Sequence, residues 1–377
     1  MKSTPLSFLW DNAAAARPFR TGVSLHSHTM HSQEDVSFLA KYAYRVPLVA
    51  QAVRHHERMY HEEWGRELDY SRVYWTPPLP PRKALVLERT QIEERLGLTA
   101  LVSLTDHDEI EACLQLQVID GQRLVPVSTE WTVPFGPSFV HLGVHNLPHQ
   151  HSRALVAAMA EYTERPTARG LRDLLAALHS HREVLVVHNH PLWDERGIGP
   201  AAHLEMVRTL LREHGSHIHA LELNGLRPWR ENRAVCAIAN ETGHPVISGG
   251  DRHGCEPNAN VNLTNAASFP EFVEEIRLDG VSEVLFLPQY RDGYRLRYVE
   301  TIWDLLRDYP EYPNRMRWSD RVFYRQQDGI DMPVSAFWKR GDPDVIRFFK
   351  AAIGLFRQPS VRSVLRLALS EHQEFAR

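Results

Sequence analysis

Several short apolar runs in this 377-residue chain stop abruptly at histidine, aspartate or glutamate, and that punctuation limits what the chain can fold into. The runs are "GVSLHSH" (22–28), "TALVSLTDHD" (99–108), "RLVPVSTE" (123–130), "SFVHLGVH" (138–145), "EVLVVHNHP" (183–191), "HALELNG" (219–225), "PVISGGDRHG" (245–254) and "EVLFLP" (283–288). Most are rich in Val, Leu and Ile without strict alternation, as expected of strands buried on both faces of a parallel sheet. Helical patterns lie between many of them. "ARGLRDLLAALHSHR" (168–182) sets Leu171, Leu174, Leu175 and Leu178 at helical spacing. "PAAHLEMVRTLLREHG" (200–215) opens with proline and stops at glycine. This alternation of strand and helix predicts an α/β fold with a barrel-like sheet.

In such a barrel the C-terminal strand ends open on one face. His26 and His28 follow the first run, Asp106, His107 and Asp108 the second, and Glu130 ends the third. His141 and His145 lie in the fourth, His188 and His190 end the fifth, Glu222 is in the sixth, and Asp251 and His253 close the seventh. Imidazole and carboxylate together form a donor set for divalent metals, and carboxylate can bridge two of them. Such a centre activates water and clamps an in-line phosphoryl displacement. The three cysteines, Cys113, Cys236 and Cys255, are far apart and form no CxxC, so sulfur is not expected among the ligands.

Six motifs, in order, resemble the polymerase and histidinol phosphatase (PHP) family of metal-dependent phosphoesterases: "LHSHT" (25–29), "TDHD" (105–108), Glu130 after "VPVST", "HLGVH" (141–145), "HNHP" (188–191) and "GGDRHG" (249–254). The resemblance spans about residues 21–265. It implies a distorted seven-stranded (β/α) barrel with two or three divalent ions, zinc, manganese or iron. His26, His28, Glu130 and Asp251 would hold one ion, and Glu130 would bridge to a second completed by His141 and His190. His107 and His253 would bind a third. A further ligand is expected shortly after the first motif, where Gln33, Glu34 and Asp35 are candidates and Glu34 matches the longer spacing. His188 stands as the alternative to His190. Glu130, Asp251 and His107 would carry catalysis, with metal-bound hydroxide attacking a phosphoester.

Phosphate also needs positive charge. Arg252, Arg196 and Arg227 lie after strand ends, although alternation points Arg252 away from its two neighbours. Asp108 is expected to cap a loop, and Glu222 to hold a ligand histidine or stand as a plain strand-end carboxylate. Two segments break the rhythm. Residues 36–88 form a long helical insert rich in Tyr, Trp, His and Arg, read either as a cover over the barrel mouth or as a peripheral contact. Residues 291–377 form a small, mainly helical, mildly basic extension beyond a catalytic unit of 1–290.

The net charge of −4 and the lack of an aromatic-basic motif argue against a nucleic-acid partner. A small phosphorylated substrate is expected. The N-terminus has no apolar core of signal length and no run approaches a membrane span, so a cytoplasmic protein is expected. Two other readings stay open: hydrolysis of a non-phosphate bond, and a metal-binding regulatory module without catalysis.

Overall fold

The structure, a computed structural model, describes residues 4–36, 47–65, 67–119, 125–337 and 344–356, with 342, 358 and 361. Parts of the expected insert (37–46 and 66), of the third run (123–124) and most of the chain beyond 356 lie outside the described residues.

Three sheets organise these residues. The first has the order β1 (Leu6–Phe8), β12 (Val284–Phe286), β11 (Asn260–Thr264), β2 (Thr21–Ser24), β5 (Thr99–Val102). Its pairs β1–β12 and β2–β5 are parallel, but β11 runs antiparallel to both neighbours. The second has the order β10 (Val246–Gly249), β9 (Ala220–Asn224), β8 (Leu185–His188), β7 (Ser138–His145), β6 (Thr129–Phe135). Its strands β8, β9 and β10 are parallel, while β6–β7 is a hairpin and β7–β8 is antiparallel. The third is antiparallel throughout, in the order β14 (Asp331–Pro333), β13 (Val322–Arg325), β4 (Val73–Trp75), β3 (Glu34–Asp35).

The expected seven-stranded (β/α) barrel is therefore not what forms. The sheets are mixed rather than parallel, and among the described residues none closes on itself. Among the described residues, the strand pairing between the two five-stranded sheets is limited to isolated bridges, Ser27 to Arg252 and His107 to Glu130, flanked by a few backbone hydrogen bonds such as Asp251 N to His26 O and Glu130 N to Asp106 O. A backbone cause lies at those junctions. His26, Asp108 and Asp251 have φ of 62°, 51° and 52°, outside the extended region a strand ladder requires. Each run thus ends where the chain turns inward to aim a polar side chain. The parallel expectation failed because continuous apolar runs report burial on two faces and carry no strand direction. Gly136, at φ 56°, turns the hairpin that reverses β7.

The core fits the sequence pattern. Thr167 accepts from Gly170 N at 3.0 Å and starts the helix Ala168–Ser180, which buries Leu171, Leu175 and Leu178. The helix Pro200–His214 buries Met206, Val207, Leu210 and Leu211. Each fully buried leucine contributes about 1.5–3 kcal/mol. Among the described residues, no helix is long and apolar enough to cross a membrane.

The described part of the C-terminal segment combines helix and strand. Besides the helices Tyr294–Leu306 and Asp344–Phe356 it supplies β13 and β14. The insert likewise holds a helix, Pro47–Trp64, and also β4. Strand β13 pairs with β4, so the expected units 1–290 and 291–377 share one sheet.

Candidate metal centre

Eight side chains meet at the junction of the sheets, in three overlapping donor groups. They are His26, His28, Glu130 and Asp251; His28, Glu34, His107 and His253; and His107, Glu130 and His141. Within each group the donor atoms lie within 4.8 Å of one another. His190 joins through Glu130: its Nε2 is 3.1 Å from Glu130 Oε1 and 3.4 Å from His141 Nδ1.

Glu130 sits at the centre. Its Oε2 is 3.0 Å from His26 Nε2, 3.3 Å from His28 Nε2 and 3.4 Å from His107 Nδ1. Its Oε1 accepts from Asn189 Nδ2 at 3.0 Å. Asp251 Oδ1 stands 3.5 Å from His26 Nε2 and 3.4 Å from His28 Nε2. Glu34 Oε2 lies 3.2 Å from His107 Nε2 and 3.0 Å from His253 Nε2.

Neighbouring groups fix how these ligands face. Glu222 Oε1 accepts from His26 Nδ1 at 2.7 Å, which leaves Nε2 with its lone pair toward Glu130. Its Oε2 accepts from His190 N at 2.6 Å. Gly249 is required beside it, because a Cβ there would overlap the Glu222 carboxylate. His28 Nδ1 is 3.1 Å from Ser32 Oγ. Asp106 is not in a donor group; it accepts from Thr29 N at 2.5 Å and from Thr29 Oγ1 at 2.7 Å, pinning the loop that carries His28. Asp108 accepts from Thr132 N at 2.8 Å.

Five buried atoms here have no hydrogen-bond partner: His26 Nε2, His28 Nε2, His107 Nδ1, Glu34 Oε1 and Glu130 Oε2. Buried polar groups are normally satisfied, so lone pairs left facing one another mark a place for cations. The donors are nitrogen and oxygen only, which suits divalent zinc, manganese or iron. Sharing of Glu130, His28 and His107 between groups suits more than one ion.

The electrostatics agree. Burial disfavours charge on His26, yet Glu130, Glu222 and Asp251 raise it well above the ordinary imidazole range. His107 is raised likewise by Glu34 and Glu130 against burial, and His253 is lifted to about 9. Burial opposes ionisation of Glu130, but His26, His107 and His141 hold it well below the usual carboxylate range. The site is thus built for positive charge, supplied by protons when no cation is bound. Backbone strain clusters here too: His26, His190 and Asp251 all have positive φ.

The alternatives for two positions differ in their surroundings. Neither His190 nor His188 is in the three groups; His190 Nε2 lies 3.1 Å from Glu130 Oε1, while burial drops the His188 imidazole to about 3. Glu34 joins a donor group, whereas Gln33 Oε1 accepts from Arg325 Nη2 at 3.0 Å. His145 is deep and neutral, with Nδ1 2.8 Å from Ser103 Oγ.

The arginines divide. Arg252 is turned away: it is buried, its Nε donates to Glu88 Oε1 at 2.8 Å and its Nη1 to Gly254 O at 3.0 Å. Arg196 lies 5.1 Å from the Phe139 ring, which is itself 5.2 Å from the His141 ring. Arg227 stacks 3.6 Å over Trp193 and pairs with Glu231 at 2.8 Å.

Sequence reasoning missed Glu88, Asn189 and Trp75. Asn189 was visible in "HNHP" between two candidate ligands; Trp75 and Glu88 lie in the 36–88 insert, read as a cover or a peripheral contact without either residue being singled out.

No family model matches the chain, and no curated protein matches it. Among solved structures, PsfC from Pseudomonas syringae PB-5123 is similar at 17% identity and a TM-score of 0.40, over 59% of this chain and 88% of that one. A candidate metal-dependent phosphoesterase from Bifidobacterium adolescentis ATCC 15703 is similar at 16% and 0.32, over 53% and 91%. An amidohydrolase from Chromobacterium violaceum, with bound sulfate and no metal, is similar at 16% and 0.32, over 47% and 83%. Likeness this low leaves the site to be read from its own geometry.

Proposed function

We propose that the chain is a metal-dependent hydrolase that cleaves a phosphoester in a small substrate. The observation that carries this is the set of five unpartnered buried donor atoms around Glu130. When bound, divalent cations supply Lewis-acid activation of water and neutralise charge at a transferring phosphoryl group. The chain's own part is positional. Glu222 fixes the His26 tautomer, Asp106 orders the His28 loop, and Glu130 holds adjacent donor groups together. Arg196, over the Phe139 ring that neighbours His141, would meet an anionic substrate. Its planar cation suits phosphate oxygens.

The test is metal analysis of the purified chain, followed by a panel of phosphomonoesters, phosphodiesters and nucleotides, with amides and carboxylic esters alongside. Metal-dependent turnover of one phosphoester class supports the reading. A loaded protein that cleaves only amides or carboxylic esters overturns the phosphoester part. A chain that binds no divalent metal overturns the whole.

A further inference from the structure

The indole of Trp75 is an unexplained group at the edge of this centre. Trp75 is 6% exposed, and its Nε1–H is buried without a hydrogen-bond acceptor among the described residues. Its ring lies 6.1 Å from the His253 ring, with the planes 20° apart. Its placement follows from strand register. Trp75 on β4 is directly opposite Glu34 on β3, and side chains directly opposite in an antiparallel pair project from the same face. Glu34 uses that face to reach His107 and His253. Trp75 therefore walls the donor group of His28, Glu34, His107 and His253.

That wall is braced. Thr76 N donates to Arg321 O at 2.9 Å, and Arg315 Nη1 donates to both Thr76 Oγ1 at 2.9 Å and Met30 O at 3.0 Å. The backbone beside Trp75 is thus tied both to the C-terminal segment and to the loop after His28. A bulky aromatic held this firmly, with a donor left unmet, is suited to an acceptor that arrives from outside the chain. Burying a donor without an acceptor is costly, so an oxygen placed there gains the bond without a competing protein partner.

We propose that Trp75 contacts the substrate, its indole N–H donating to an anionic phosphoryl oxygen beside His253 and Glu34. The insert would then contribute to substrate binding through this one strand end. The proposal rests on the phosphoester reading, but its test separates the two. Inorganic phosphate is titrated calorimetrically into full-length, zinc-loaded wild type and Trp75→Phe, with zinc content measured in both. Phe keeps a six-membered aromatic ring and removes the donor. The expected result is unchanged zinc and phosphate binding weakened about tenfold, the scale for one hydrogen bond to a charged group. Equal phosphate affinity at equal zinc overturns the role of Trp75, even if phosphoesters are cleaved. Weakened phosphate binding with no phosphoester turnover in wild type keeps the contact and overturns the reaction.

A second measurement covers a variant that folds or loads poorly. In zinc-loaded wild type with 15N-labelled tryptophan, one indole N–H resonance should shift downfield on adding phosphate. It is assigned to Trp75 by its absence in Trp75→Phe, or by paired loss in Trp75→His. A Trp75 resonance that stays fixed at saturating phosphate overturns the proposal.

Discussion

Glu222 and His26 are joined by a 2.7 Å hydrogen bond, and the second oxygen of Glu222 takes the backbone N–H of His190 at 2.6 Å. One carboxylate thus holds the His26 side chain and the His190 backbone, which follow strands of different sheets. Glu222→Gln keeps the shape but has one acceptor oxygen where two are used. Its amide nitrogen would face either the His26 Nδ1–H or the His190 N–H. Metal affinity should fall about 10–100-fold, the usual cost of losing such a partner. Competition with a chelator of known affinity measures it; unchanged affinity would show that His26 needs no such support.

Glu130 presents Oε2 to three histidines and Oε1 to His190 and Asn189. Removing its charge disturbs adjacent donor groups at once. Glu130→Gln should lose more than one metal ion per chain and abolish hydrolysis. Elemental analysis and turnover on the same preparation check this. Full occupancy with near-normal activity would rule out a shared role.

Arg252 and Glu88 form a buried ion pair at 2.8 Å, with the two side chains 4% and 0% exposed. Glu88 also accepts from Ser24 Oγ and Asn258 N, so it ties β2 to the loop bearing Asp251 and His253. Removing one partner strands the other, which typically costs about 3–5 kcal/mol. Glu88→Gln should lower the denaturant midpoint accordingly. Replacing both by Met should recover part of that loss, because no charge is then left stranded.

These pairs show what a single sequence conveys. His26, His28, Asp251 and His253 were legible because each stands where an apolar run ends, and strand ends converge even in mixed sheets. Glu34 was legible by spacing. The Glu88 contact was not, because its partner lies 164 residues away. Trp75 became part of the site only through its register with Glu34, which no local pattern encodes. Barrel closure was misread because His26, Asp108 and Asp251 take positive φ, a conformation that residue type does not announce outside glycine. Strand direction in β7 was hidden for the reason that made its run visible: burial on both faces erases alternation, while β11 falls in none of the runs.

Acid should destabilise the fold through histidines that are not in the donor groups. Burial, with repulsion from a charged His26, drops His145 to about 3, and burial drops His188 to about 3 as well. The unfolded chain takes up protons on these rings near the ordinary value of about 6.5, while the folded chain does not. The unfolded state therefore binds more protons between about pH 6.5 and 3, and stability falls as pH drops through that window. Each ring contributes about 1.4 kcal/mol per pH unit well inside it. His145→Gln removes one such term while retaining an acceptor for the Ser103 hydroxyl. Urea unfolding at pH 7 and pH 5.5, in chelator so that metal loss does not contribute, should show a pH-dependent loss about 1 kcal/mol smaller in His145→Gln than in wild type. An identical loss in both would mean that His145 titrates in the folded protein as it does in water.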